Sequence, residues 1–315
     1  MITTVKDSFG REISYLRISV TQRCNLNCVY CGKEDCAKKA AELAPVQYFA
    51  IAKAFAKCGI KKIRITGGEP LVRNDIAEIV RLIRSIPEIE TISLTTNGVY
   101  LKRYAKKLKA AGLDSVNVSL DSTDGSTYRH LTGADVLHKV MEGIDESEKA
   151  GLSPIKINAV LMKGVNSDGA GELVNLAKER KIDVRFIELM PFSSEGENAD
   201  LMVKGDEILK QFPFLIPVKT EEGTAKYYAA EGFRGRVGLI SPVTHKFCNE
   251  CNRVRLLSDG RVKPCLGYDT AYDIMPYVDD EEKLINEIKS IILKKPAGHN
   301  FENKTATHGL NRTGG

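Results

Sequence analysis

All but one of the eight cysteines fall into two groups: Cys24, Cys28, Cys31 and Cys36 near the amino terminus, and Cys248, Cys251 and Cys265 far downstream. Residues 1–10 carry no apolar secretory stretch, so these thiols are expected to stay reduced and to read as metal ligands or catalytic groups. Cys24-x3-Cys28-x2-Cys31 follows directly on a predicted strand, a thiolate set that suits one iron-sulfur cluster. Three protein ligands leave one iron open to chelate a substrate or cofactor, whereas four would close the cluster for electron transfer. A zinc site or reduced bystander thiols fit the same spacing. Cys248-x2-Cys251-x13-Cys265 again supplies three ligands. There His245, three residues upstream, would complete a four-ligand zinc site, and ligand type does not choose between zinc and iron-sulfur.

The elements that must position these groups alternate between apolar strands and amphipathic helices from residue 13 to about residue 190, the βαβ signature. Strands are predicted at 13–20, 62–66, 91–95, 115–120, 155–161 and 183–189, with helices at 47–58, 75–86, 101–110, 136–150 and 171–180. The strands are rich in Ile, Val and Leu, as parallel strands buried on both faces should be. Right-handed crossovers curl such units into a barrel or an open doubly wound sheet, and in either the ligands sit beyond the carboxyl ends of the strands. Gly67-Gly68-Glu69-Pro70 ends the second strand. A glycine pair there lets a ligand approach the main chain closely, with an acceptor beside it for an ammonium group; the same residues also read as an ordinary strand-to-helix turn.

After Pro191 the pattern changes. Residues 193–200 are polar and turn-like, so the expected domains are 1–200 and 201–315. The second carries a hairpin-like stretch at 226–240, the downstream cysteines, a charged helix at 280–293 and a tail ending Gly314-Gly315, which by itself reads as a frayed terminus. Cys58 lies at helical spacing with Ile51, Ala54 and Phe55 and reads as core, Cys36 as a loop thiol, and His130, His138, His299 and His308 as surface or structural. With 315 residues, 43% hydrophobic and 28% charged, the chain can bury a full core and is neither disordered nor fibrous. A net charge of +5 suits a phosphorylated ligand and is too small to argue for nucleic acid. No run approaches the roughly 18 apolar residues of a membrane span, so a cytoplasmic protein with no membrane partner is expected.

Together these residues resemble the radical S-adenosylmethionine (SAM) enzymes, whose cluster motif is Cys-x3-Cys-x2-Cys with an aromatic residue, here Tyr30, before the last cysteine, and whose GGEP segment matches residues 67–70. The two cysteine motifs in this order, followed by Arg253-x-Arg255, resemble more narrowly the GTP 3',8-cyclase family of molybdenum cofactor biosynthesis. The similarity runs through LRIS at 16–19, KIRITGGEPLVR at 62–73, LTTNG at 94–98, NVSLD at 117–121, IKINAVLMKGVN at 155–166, RFIELM at 185–190 and the terminal Gly-Gly.

The resemblance implies an α/β fold: a radical SAM partial (β/α)6 TIM-like barrel with a smaller C-terminal cluster-binding module. It implies two 4Fe-4S clusters, one on Cys24, Cys28 and Cys31 that binds SAM, and one on Cys248, Cys251 and Cys265 that binds the guanine of GTP. Tyr30, Gly68, Ser119 and Met190 match the family's SAM contacts, and Arg17, Arg64, Thr95, Lys156, Arg253 and Arg255 its GTP contacts. Arg17, Arg253, Arg255, Gly314 and Gly315 match its catalytic residues, the tail entering the active site. Arg and Lys at a cavity suit a triphosphate, which they hold by charge-assisted, partly bidentate hydrogen bonds. The implied reaction is that of a lyase: a 5'-deoxyadenosyl radical takes the ribose 3' hydrogen of GTP, and 3',8-cyclo-7,8-dihydro-GTP results. An electron donor and a downstream cyclic pyranopterin monophosphate synthase are the implied partners, and a homodimer is compatible with the resemblance. The chain departs from the family after Cys31, where Gly32-Lys33-Glu34-Asp35-Cys36 replaces the usual Met-Pro or His-Arg followed by Glu-Gly, so a different loop is expected there.

Overall fold

Strands β1 (Tyr15–Ser19), β2 (Lys62–Thr66), β3 (Thr91–Thr96), β4 (Ser115–Ser119), β5 (Ile155–Val160) and β6 (Ile182–Ile187) lie side by side in chain order, every pair parallel. The computed structural model describes residues 4–32, 42–219, 223–301 and 309–314; Cys36, His308 and Gly315 lie outside them. Helices return the chain between strands because their apolar residues recur every three or four positions and bury one stripe. Helix Ile76–Arg84 buries Ile76, Ile79, Val80 and Ile83 and leaves its charges outside. Cys58 is fully buried in the same layer, where burial pushes its thiol up to about 11.

The later strands extend this sheet instead of forming a second one. They are β7 (Ile216–Val218), β8 (Lys226–Ala229), β9 (Val237–Ile240), β10 (Arg253–Leu256), β11 (Arg261–Lys263) and β12 (Tyr272–Asp273). β10 runs parallel to β1 and β9 parallel to β6, while β11 with β12 and β8 with β7 add antiparallel margins. The resulting sheet has 12 strands in the order β12-β11-β10-β1-β2-β3-β4-β5-β6-β9-β8-β7. Among the described residues no helix is long and apolar enough to cross a membrane.

The strands are not apolar on both faces as expected. Leu16, Ile18, Ile63, Ile65, Val116, Val118, Ile157 and Val184 are buried against the helices, and the alternate positions, among them Tyr15, Arg17, Arg64, Thr95, Asn117, Lys156, Asn158, Arg185, Arg253 and Arg255, share the other face. With its amide turned so that the oxygen faces these donors, the Asn117 side chain on β4 accepts from Arg185 Nη2 on β6 at 2.8 Å and from Arg64 on β2. In a flat sheet β2 and β6 stand about 19 Å apart, so the sheet curls around this polar face, and side chains from alternate strands meet inside it.

Candidate active site

The first cysteine loop leaves the carboxyl end of β1 and is gripped by the turn after β2. The Gly68 amide donates to the Thr21 carbonyl and the Glu69 amide to the Arg23 carbonyl, both at 2.8 Å. A Cβ on Gly67 would stand 2.6 Å from the Thr21 oxygen, and one on Gly68 2.5 Å from the Arg23 oxygen. The partner that comes close to these glycines is thus the cysteine loop itself. The acceptor expected beside them also faces the other way: the Glu69 carboxylate is buried and accepts from Leu71 N at 2.9 Å, Thr96 Oγ1 at 2.8 Å and Asn97 N at 2.6 Å. It ties β2 to β3, and burial raises its pKa to about 7.

Asn97 Nδ2 donates to Asn25 Oδ1 at 2.9 Å, fixing the loop beside Cys24. On its other side the Tyr30 hydroxyl donates to Asp121 Oδ2 at 2.6 Å, and Asp121 Oδ1 accepts from Val160 N at 2.8 Å, which anchors the loop to β4 and β5. Burial raises Asp121 to about 6. Burial, then Asp121 and the neighbouring Cys31 and Cys24, push the Cys28 thiol up. Ser119 ends β4 and Met190 lies just beyond β6, at the same rim.

Glu69 makes stability pH-dependent. Its folded pKa lies above the carboxyl value of 4.5, so its contribution is full below about pH 4.5 and is lost as pH rises through 7. A shift from 4.5 to about 7 corresponds to about 3 kcal/mol. In denaturant titrations of cluster-free protein, the stability gap between wild type and Glu69→Gln is expected to close by about that amount between pH 4.5 and 7.5. A gap independent of pH would refute the assignment.

The second cysteine set lies at the opposite end of the strands. Cys251 precedes β10, whose first residue Arg253 is in register with Tyr15, the first residue of β1, and the amides of Ser14 and Tyr15 both donate to the Asn252 carbonyl. Cys265 follows β11, which returns antiparallel to the same level. The site therefore occupies the inner face between the two strand ends, and not only the carboxyl-end rim expected from the βα pattern. Tyr15 to Ser19 spans about 13 Å. Glu188, just past β6, accepts from Val243 N at 3.1 Å, from Thr244 N at 3.0 Å and from the Thr244 hydroxyl, holding the loop that leads to Cys248. Burial opposes ionisation of Cys251, but Lys295 and Arg253 outweigh it and lower its pKa; at Cys265 burial prevails and raises it. His245, the fourth ligand considered for zinc, has its Nδ1 against Thr244 Oγ1 at 3.1 Å. Among the described residues no three His, Cys, Asp or Glu side chains converge on a single-ion site.

Between the two cysteine sets the inner face is cationic. Arg17 is in register with Arg64 on one side and Arg255 on the other. Arg64 Nε donates to the Tyr15 hydroxyl, and the Arg253 guanidinium lies 5.8 Å from the Tyr15 ring centre. Burial acts to raise the Tyr15 phenol, yet Arg64, Arg17 and Arg253 bring it down to about 8. Burial and then Arg185 and Arg64 lower Lys156 to about 8, while burial and Arg253 lower Arg255 to about 10. Thr95 Oγ1, Asn158 Oδ1 and the Nε atoms of Arg185 and Arg253 are buried without hydrogen-bond partners, groups that a polar ligand would satisfy.

The tail reaches this face. Leu310 N donates to the Cys31 carbonyl at 2.9 Å, and Arg255 Nη1 and Arg17 Nη2 donate to the Gly314 carbonyl at 2.6 and 3.4 Å. Gly314 has φ +67°, and a Cβ there would stand 2.5 Å from Thr66 Cγ2. Of the residues singled out in the sequence, Arg17, Arg64, Thr95, Lys156, Arg253, Arg255 and Gly314 come to one face, with Tyr30, Gly68, Ser119 and Met190 at its rim. Arg185, Asn117, Asn158, Tyr15 and Glu188 were missed. Most of these lie at alternate strand positions with Arg64 and Lys156, and the period of two was the signal that could have found them.

An open cysteine triad at the rim of a parallel α/β sheet is the arrangement of a radical SAM protein, and the Radical SAM superfamily model matches residues 18–177. A second model, Molybdenum Cofactor Synthesis C, matches residues 182–301. A GTP 3',8-cyclase from Alkaliphilus oremlandii is 43% identical over 99% of this chain and 100% of its own length, and one from Peptoclostridium acidaminophilum is 43% identical over 94% of this chain and 93% of its own. The crystal structure of Streptococcus suis SuiB bound to S-adenosylmethionine shares the fold, with a TM-score of 0.61 at 16% identity over 93% of this chain and 74% of that one. The chain belongs to the GTP 3',8-cyclase family of radical SAM enzymes.

Proposed function

We propose that this enzyme is a lyase that converts GTP to 3',8-cyclo-7,8-dihydro-GTP, the first step of molybdenum cofactor biosynthesis. The observation that carries the reading is the buried cationic face set between two separate cysteine triads. The donor sets fit the groups they are proposed to hold: three thiols in each, with no fourth cysteine among the described residues beside either. Cys24, Cys28 and Cys31 would hold a 4Fe-4S cluster and its SAM, and Cys248, Cys251 and Cys265 a second whose open iron takes the guanine. When bound, the first cluster and SAM supply a 5'-deoxyadenosyl radical able to remove the ribose 3' hydrogen.

The chain's own residues bind and orient. Arg17, Arg64, Lys156, Arg185, Arg253 and Arg255 neutralise the triphosphate, and Thr95 and Asn158 offer hydrogen bonds to its sugar or base. Tyr30, Gly68, Ser119 and Met190 line the SAM end, where Asp121 fixes the Tyr30 ring. The tail through Gly314 narrows the space beside the substrate and keeps water and other hydrogen donors from the radical. In this reading residues 1–200 carry the SAM half and residues 201–315 the guanine half. A one-electron donor, a cytoplasmic location and a cyclic pyranopterin monophosphate synthase that consumes the product go with it, and a homodimer is compatible with it.

The test is anaerobic. Protein reconstituted with iron and sulfide is given SAM and dithionite, and 5'-deoxyadenosine is quantified with GTP, with other nucleotides and without substrate. A GTP-selective rise with a cyclised GTP product is expected; equal low production in every tube from loaded protein would discard GTP as substrate. Replacing Cys248, Cys251 and Cys265 by Ala is expected to remove about half the iron and all cyclisation while leaving SAM cleavage. A colourless wild-type protein containing zinc would overturn both cluster assignments.

A further inference from the structure

Lys295 is 3% exposed and carries no carboxylate partner among the described residues. Its Nζ donates to the Arg253 carbonyl at 2.7 Å and to the Pro264 carbonyl at 2.8 Å, joining the backbone just after Cys251 to the backbone just before Cys265. An ammonium has three donors. Two of them are used on the loops that carry Cys251 and Cys265, and the charge acts on both sulfurs. The next residues hold the remaining cysteine: Arg11 donates from one guanidinium to the carbonyls of Pro296, Ala297 and Cys248 at 2.6 to 2.8 Å. A buried cation costs free energy unless something negative faces it. Here the cysteine pair would supply it once its sulfurs hold a cluster as thiolates.

We propose that Lys295 is a positioning and potential-setting residue for the second cluster, clamping the Cys251 and Cys265 loops while placing a buried positive charge beside their sulfurs. The inference rests on the proposed second cluster. A cluster on three thiolates gains a negative charge when reduced, so a fixed cation next to its sulfurs favours the reduced form and raises the midpoint potential.

The experiment uses full-length protein with Cys24, Cys28 and Cys31 replaced by Ala, so that only the second site holds iron. Iron content and the EPR signal of the reduced cluster are followed in a redox titration with Lys295 intact and as Lys295→Met, Lys295→Gln and Lys295→Arg. No iron with Lys295 intact would overturn the second cluster itself, and this proposal with it. With the cluster present, Met and Gln are expected to lower the reduction equilibrium at least tenfold, about 59 mV for one electron, and Arg to stay near the parent. An unchanged midpoint in a neutral variant would overturn the proposal while leaving the cluster assignment standing. If both neutral variants lose the cluster, retention by Arg supports a requirement for charge, and loss by Arg as well shows a packing role only and overturns it.

Discussion

Removing Gly314 and Gly315 is expected to abolish GTP cyclisation, by at least a hundredfold in kcat, while iron content and SAM cleavage without product remain. The Gly314 carbonyl is the acceptor for Arg255 Nη1 at 2.6 Å and lies within reach of Arg17 Nη2 at 3.4 Å. Without it the Arg255 fork keeps only the longer contact to the Thr313 carbonyl at 3.3 Å and is free to swing. A misplacement of about 1 Å near the reacting atoms costs on the order of a hundredfold, and loss of the plug also admits water to the radical. Gly314→Ala tests the same point without truncation: its left-handed backbone and the Thr66 methyl at 2.5 Å both resist a Cβ. Neither change touches a cysteine, so Mössbauer spectra and iron counts should match wild type. Full cyclisation by the truncated enzyme would show that the tail plays no part in the chemistry.

Much of this site was legible in the sequence, and the parts that were not share a physical cause. The βα alternation predicted the six central strands to within one or two residues at most ends, since long apolar periodicity survives without tertiary information. Short strands such as Arg253–Leu256 and Arg261–Lys263 are too brief to show a period, and their pairing with β1 is a long-range contact that no local pattern encodes. The cysteine triads could be read from spacing, but not their placement at opposite strand ends, which depends on β10 running parallel to β1. Around Gly68 and Glu69 the fold adds what the sequence did not show: the glycines admit the Thr21–Arg23 backbone, and the carboxylate stitches two strands together. Lys295 carries no motif at all. Its meaning comes from two carbonyls contributed by distant residues next to two cysteines.

Replacing Arg253 and Arg255 together by Ala is expected to weaken GTP binding a hundred- to ten-thousandfold while SAM cleavage persists. Each hydrogen bond to a charged group is worth about 1.5–3 kcal/mol, so two lost guanidiniums remove about 3–6 kcal/mol, and about 1.4 kcal/mol is tenfold. Arg253→Ala alone should raise the GTP dissociation constant with the tail still seated, whereas Arg255→Ala also releases Gly314 and should lower kcat as well. Without ligand the face is under electrostatic strain, since burial and neighbouring guanidiniums hold Lys156 near 8, below its ordinary 10.5. A depressed lysine pKa means a cost to the fold that is full below about pH 8 and disappears as pH rises to 10.5. A bound triphosphate reverses the sign by favouring the charged form. GTP affinity, followed by calorimetry, should therefore be steady below about pH 8 and fall above it as Lys156 loses its proton and the Tyr15 phenol, also near 8, gains a negative charge. Lys156→Met should bind GTP more weakly at pH 7, lose part of that pH dependence and unfold at higher denaturant without ligand. An affinity that rises above pH 8 would place the triphosphate elsewhere, and a ligand-free Lys156→Met protein less stable than wild type would refute the electrostatic cost assigned to Lys156.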